Sequence, residues 1–140
     1  MKSYLKTISI DTKKPMEFID ITDAVKSAFG ESEIREGLLN VYSNHTTASV
    51  TIAEKCEKLQ KDMEEFLENA VPSGTYLHDE DTIDGRPNGR MHLMALYMNA
   101  SETVPVSSGE MMLGQWQSIF FAELDGPREG RKVFVKVIGS

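Results

Sequence analysis

Residues 37–54 read GLLNVYSNHTTASVTIAE. Two short runs of aliphatic and β-branched residues, 37–43 and 48–53, flank a polar bend near His45. Each run has the length and composition of a strand. No crossover helix separates them, so the chain is expected to build a mainly antiparallel sheet. The bend is unusual in what it carries. An imidazole, two threonine hydroxyls and Ser49 crowd one end of the second strand, and Glu54 follows its other end.

Working outward, residues 4–10 alternate and predict a first strand, broken by Lys13-Lys14-Pro15. Residues 18–21 predict a second, and the two are expected to pair as a hairpin. Thr22 suits the cap of the next helix, with Asp23 in its first turn, Ala24, Val25, Ala28 and Phe29 on its buried face and Gly30 at its end. Leu59, Met63, Phe66, Leu67 and Ala70 share one helical face, predicting an amphipathic helix over 57–71. Asp62 stands about 90° from the centre of that stripe, as a solvated residue or a boundary acid facing a cleft. Residues 75–87 are polar and contain Gly and Pro, the pattern of a long functional loop. A further helix is predicted over 88–98, and strands around 103–106, 116–122 and 133–137. Repeats and linkers are absent. The pattern gives an α+β fold: one domain, 1–140, with a mainly antiparallel sheet or sandwich and two to three helices.

The chain has 15 basic and 22 acidic residues, a net charge of −7. That argues against nucleic acid or anionic membrane as partner, since both require a basic footprint. A single cysteine, Cys56, excludes an intramolecular disulfide and a Cys-built zinc cage. No apolar run reaches membrane-spanning length, and the N-terminus lacks an apolar signal core. A cytoplasmic protein is expected.

Only three histidines occur: His45 at the bend, His78 in the loop beside Asp79, Glu80 and Asp81, and His92 on the third helix, one turn after Asn88 and on its face. Imidazoles bind divalent metals or act as acids and bases near neutral pH. The three are either ligands of one metal site or separate, hydrogen-bonded residues. The loop carboxylates, with Asp84, are either a Mg²⁺ site or a solvated cluster. Trp116, next to Gly114, reads as a core aromatic, and Gln117 lies on the opposite strand face. Asp125-Gly126-Pro127-Arg128 reads as a turn, with Arg128 and Arg131 as an anion-binding pair or surface ion pairs.

Taken together, several segments resemble one family. They are His45-Thr46-Thr47-Ala48-Ser49 with Glu54; Tyr76-x-His78; Asn88-x-x-x-His92-Leu93; Ser101-x-x-Val104-Pro105-Val106-x-x-Gly109, running to Leu113-Gly114-Gln115-Trp116-Gln117; and Asp125-Gly126-Pro127-Arg128. The chain resembles the YjbQ-like proteins, also called the secondary thiamine-phosphate synthase family, over nearly its whole length. The resemblance implies a homotrimer and a weak, secondary thiamine-phosphate synthase activity, which joins hydroxymethylpyrimidine diphosphate to a thiazole phosphate with release of diphosphate. Carried over by position, His45, Glu54, Asn88 and His92 are catalytic candidates. Thr46, Thr47, Ser49, Gln117 and Arg128 are candidates for binding a small phosphorylated substrate. His45, His78 and His92 are candidates for a divalent metal, Mg or Zn. Ala53, Glu57-Lys58, Met94 and Asn99 depart from the family's pattern, and Ala53 and Met94 remove polar groups expected near the site. A metal-dependent hydrolase and a trimeric metal- or anion-binding protein are the competing readings.

Overall fold

The computed structural model describes residues 1–140. It contains strands β1 (Lys2–Ile10), β2 (Glu17–Asp20), β3 (Gly37–Ser43), β4 (Ala48–Ala53), β5 (Ser101–Ser107), β6 (Glu110–Met111), β7 (Ser118–Glu123) and β8 (Arg131–Gly139). The helices are α1 (Thr22–Ser32), α2 (Glu57–Ala70) and α3 (Gly89–Met94), with short 3₁₀ turns at Leu77–Asp79 and Ala95–Tyr97. Two antiparallel sheets result, in the orders β1-β8-β3-β5-β6 and β2-β7-β4. The expected α+β fold is the observed one.

The alternation of β8 explains the layering. Val133, Val135 and Val137 point inward and are fully buried, while Lys132 and Lys136 point out. The inner valines meet Leu39 and Val41 of β3, Ile119 and Phe121 of β7, and Val25 and Ala28 of α1 in one core. A smaller cluster, Leu67, Val71, Met94 and Leu124, joins α2 and α3 to the chain just beyond β7. Strand β7 is therefore buried on both faces, and this chain's own helices and sheets supply the cover.

Several local expectations are corrected. β1 and β2 do not form a hairpin; β1 pairs with β8 and β2 with β7, because the segment between them crosses from one sheet to the other. Thr22 is the first residue of α1 rather than its cap. Its hydroxyl donates to Asp20 Oδ1 at 2.6 Å and accepts the Ile119 amide at 2.8 Å, tying the helix to β7. Ala24 is exposed, and α1 runs past Gly30 to end at Glu33 in the left-handed region (φ 56°). Trp116 is 68% exposed. It precedes β7 in a turn where Gln117 Oε1 accepts the Gly114 amide at 2.7 Å, and no layer covers that turn.

Three of the six connections that change sheets are β1 to β2, β3 to β4 and β7 to β8. They meet at one end of the molecule. The Thr12 amide donates to Arg128 O at 2.8 Å, the Leu124 amide to Thr47 O at 3.1 Å and the Gly126 amide to Pro15 O at 2.9 Å.

Candidate functional site

A cavity of about 430 Å³ opens at this corner. Its walls include His45, Thr46 and Thr47 from the β3–β4 bend, His78 and Asp84 from the loop, Asn88 and His92 from α3, and Arg128 and Arg131 from the β7–β8 corner. The three imidazoles, far apart in sequence, thus share one cleft. The volume is that of a small-molecule site.

The bend is held by Ser43, buried at the end of β3. Its hydroxyl donates to Ala48 O at 2.7 Å and accepts the His45 amide at 3.4 Å. His45 Nε2 then accepts the backbone N–H of Lys132 at 2.9 Å. An acceptor nitrogen carries no proton, so the neutral ring bears its hydrogen on Nδ1. Burial and then the Arg131 charge keep this imidazole below its usual pKa, favouring the neutral form. Thr47 is buried, and its hydroxyl accepts from Arg131 at 3.1 Å. Ser49 is buried one step further along β4, opposite Ala122, and does not line the cleft.

Beneath the cleft, Arg131 donates to both Glu123 oxygens, at 2.5 and 2.8 Å, while the Thr12 hydroxyl donates to the same carboxylate at 3.0 Å. On the same corner, Arg128 donates to Asp125 Oδ2 at 2.7 Å and to Asp125 O at 2.9 Å. Asn88 Nδ2 donates to the same Asp125 oxygen at 2.7 Å, and Asn88 Oδ1 faces His78 Nε2 at 3.1 Å. The His78 and His92 rings stand edge to face, centroids 4.6 Å apart. Asp79 positions the His78 turn: one oxygen accepts the Tyr76 amide and the other the Gly89 amide, each at 2.8 Å. Asp79 is thus engaged in holding the fold, and Asp84 accepts the Arg86 amide at 3.0 Å.

The imidazoles do not assemble the expected metal set. No three His, Cys, Asp or Glu side chains stand where they would hold one metal ion, and His45 Nε2 is already occupied by the Lys132 N–H. The residues present do not fit a tri-histidine Zn or Mg centre.

Glu54 and Gln117 lie outside the cavity. Ala53 pairs with Ser118, so the next residues, Glu54 and Gln117, both stand at the far end of the β4–β7 pair, where Trp116 is exposed. Met94 is 2% exposed and belongs to the smaller core. Asp62 sits at an apolar groove of about 290 Å³ between α2 and the chain around Tyr97, lined by Met63, Phe66 and Met98 and by no histidine. Sequence reading missed Glu123, Thr12 and Asp125 as supports of the site. The signal for Glu123 was available: a lone acid in the apolar run IFFAEL must be paired if it is buried.

A sequence profile described as UPF0047 protein YjbQ-like matches residues 6–140. The chain belongs to the YjbQ-like UPF0047 family. A UPF0047 protein of Methanothermobacter thermautotrophicus is 44% identical over 99% of this chain and 94% of its own. The UPF0047 protein YugU of Bacillus subtilis is 37% identical over 96% and 99%. Among solved structures, a protein of unknown function from Sulfolobus solfataricus superposes with a TM-score of 0.89 at 33% identity, covering 99% of both chains. A YjbQ/UPF0047 protein from Clostridium acetobutylicum gives 0.85 at 38% identity, over 95% and 99%. The curled pair of antiparallel sheets is thus the YjbQ-like fold.

Proposed function

We propose that the three-histidine cleft binds a small phosphorylated molecule and performs group transfer on it, in a reaction of the thiamine-phosphate synthase type. The observation that carries this reading is the convergence of His45, His78 and His92 with Arg128, Arg131 and Thr46 in one polar cavity. In such a reaction the bond from the pyrimidine methylene carbon to the diphosphate oxygen breaks. A bond from that carbon to the thiazole nitrogen forms, and diphosphate leaves with the electron pair. Departing charge is stabilised by preplaced donors. Arg128, the Thr46 hydroxyl and His45 Nδ1–H are assigned that role, and Asn88 orients His78. No step is assigned to a histidine-bound metal.

One observation favours the competing binding-protein reading. Both arginines already face carboxylates, Asp125 and Glu123, which lowers the positive charge free to meet diphosphate. Incubating the purified protein with both substrates and Mg²⁺, beside His45→Ala and Arg128→Lys, separates the readings. Thiamine-phosphate formation lost in His45→Ala supports transfer. Tight diphosphate binding without turnover supports a binding protein, and hydrolysis without coupling supports a hydrolase.

The assembly proposed is a homotrimer in which the Glu54–Gln117 edge of one copy approaches the cleft of the next. Two features support it. The outward face of the five-stranded sheet carries Leu5, Leu38, Tyr42 and Ile138, each more than a third exposed, and open apolar faces of this kind mark interfaces. The family-pattern residues also fall in two groups at separate places on one chain. Mixing inactive Glu54→Gln and His45→Ala proteins tests this directly: recovered turnover requires a shared site, and light scattering that gives a monomer mass at micromolar concentration overturns the assembly.

A further inference from the structure

We propose that Asp125 is a positioning residue: acting through Asn88, it sets the hydrogen-bonding polarity of His78, so that His78 and His45 are held as opposite tautomers on two walls of one cleft. The argument rests on which atoms can donate. Asp125 Oδ2 lies 2.7 Å from an Arg128 guanidinium nitrogen and accepts from it. A carboxylate in that contact has no proton to give. The Asn88 atom 2.7 Å from the same oxygen is therefore the amide nitrogen, and the assignment does not depend on which way an amide is drawn. Asn88 is 6% exposed, so no competing solvent geometry loosens it. Its remaining atom, the carbonyl oxygen, can only accept. His78 Nε2, 3.1 Å away, must then be the donor, and the neutral ring leaves Nδ1 as its lone pair.

On the other wall the polarity is reversed. The backbone N–H of Lys132 cannot accept, so His45 Nε2 is the lone pair and Nδ1 carries hydrogen. The cleft thus has one imidazole committed to donating at Nδ1 and one committed to accepting at Nδ1. A ligand satisfying both presents an acceptor to one and a proton to the other, as a hydroxyl, an amine or a protonated phosphate oxygen does. A proton accepted at His78 Nδ1 leaves the Nε2–H bond to Asn88 in place, with the Asp125 carboxylate one amide away. The inference deepens the proposed function, but its test needs no turnover.

The test is long-range ¹H–¹⁵N correlation NMR on ¹⁵N-histidine-labelled protein, at a pH where the imidazoles are neutral. In the wild type, His78 is expected as a single Nε2–H tautomer bonded to Asn88, and His45 as Nδ1–H. Asp125→Asn frees the Asn88 amide to present either end, so His78 becomes a tautomer mixture, while His45 is unchanged and reports an intact fold. Asp125→Glu restores the His78 signal. A wild-type His78 with its proton on Nδ1 overturns the inference without any variant. An identical His78 signature in wild type and Asp125→Asn overturns the role of Asp125. If Asp125→Asn does not fold, Asn88→Ala replaces it, with a His78 tautomer mixture expected and a retained single Nε2–H tautomer overturning. If NMR gives these tautomers but no transfer is found, the positioning stands and the proposed reaction falls.

Discussion

Glu123 and Arg131 meet at 2.5 Å in the interior, where one side chain is fully buried and the other 6% exposed. Arg131 also lines the cleft and donates to Thr47, and Glu123 accepts from Thr12, so the pair clamps the three segments that change sheets at this end. Removing one partner strands the other charge. Glu123→Gln or Arg131→Met should each cost about 3–5 kcal/mol in urea denaturation, whereas an apolar replacement of both together should cost much less.

Acid should weaken the fold in two stages. His45 has a folded pKa below its ordinary 6.5, first because of burial and then because of Arg131. The unfolded chain binds that proton more readily, so stability is greatest above 6.5 and declines as pH falls from there towards the folded value. Burial pushes the Glu123 carboxyl up, but Arg131, the Asp125 amide and Thr12 outweigh it and hold it below 4.5. Its contribution is complete above 4.5 and lost as pH falls through the lower folded value. Denaturation midpoints of wild type and His45→Gln across this range check both signs; the first stage should vanish in the variant.

Two glycines should respond oppositely to alanine. A Cβ on Gly126 would lie 2.1 Å from Lys14 O and 3.0 Å from Thr12 Oγ1, so Gly126→Ala must part the corner and should cost about 1–3 kcal/mol. Gly30 lies inside α1 with nothing within 4 Å of its Cβ position, so Gly30→Ala should stabilise by about 0.5–1 kcal/mol. Thermal melts distinguish the two.

Trp116 is the sole tryptophan and stands mostly in solvent. Acrylamide should quench its fluorescence efficiently in dilute protein. If the Glu54–Gln117 edge is covered on assembly, raising the protein concentration should shift the emission to the blue and protect it from quencher. An emission spectrum independent of concentration in a confirmed trimer would place this edge outside the interface.

Arg128 offers its planar fork to Asp125 through Nε and one terminal nitrogen. Arg128→Lys keeps the charge but loses that geometry. Calorimetric titration with inorganic diphosphate should show affinity down by about tenfold, a loss of about 1.4 kcal/mol, with the denaturation midpoint nearly unmoved.

Period and composition made the strands legible: seven of the eight β elements announce themselves as short runs in the sequence, only the two-residue β6 does not, and the α2 stripe gave its bounds within a residue. Pairing was not legible. The break at Lys13-Lys14-Pro15 looks the same whether the chain turns back on itself or passes to another layer, and only the burial of Thr12 against Glu123 separates the two. The same limit applied to the site. His45, Thr46, His78, Asn88, His92 and Arg128 were legible as chemistry, and they do converge. That Glu54 and Gln117 stand apart from them depends on the register Ala53 to Ser118, which alternation along single strands does not encode. Trp116 misled because a large aromatic is usually interior, but two residues before β7 there is no second layer to receive it.

Because the cleft is built where three segments change sheets, it has no local precursor. Thr12, His45, Asn88 and Arg128 come from four distant parts of the chain and meet only when both sheets are in register. Contacts so distant in sequence form late and slowly. No partly folded form with one sheet assembled can hold a ligand there. A ligand that saturates the cleft should consequently protect the slowest-exchanging amides of β7 and β8, not just nearby loops. At a hundred times its dissociation constant it should raise the free energy of global opening by about 2.7 kcal/mol.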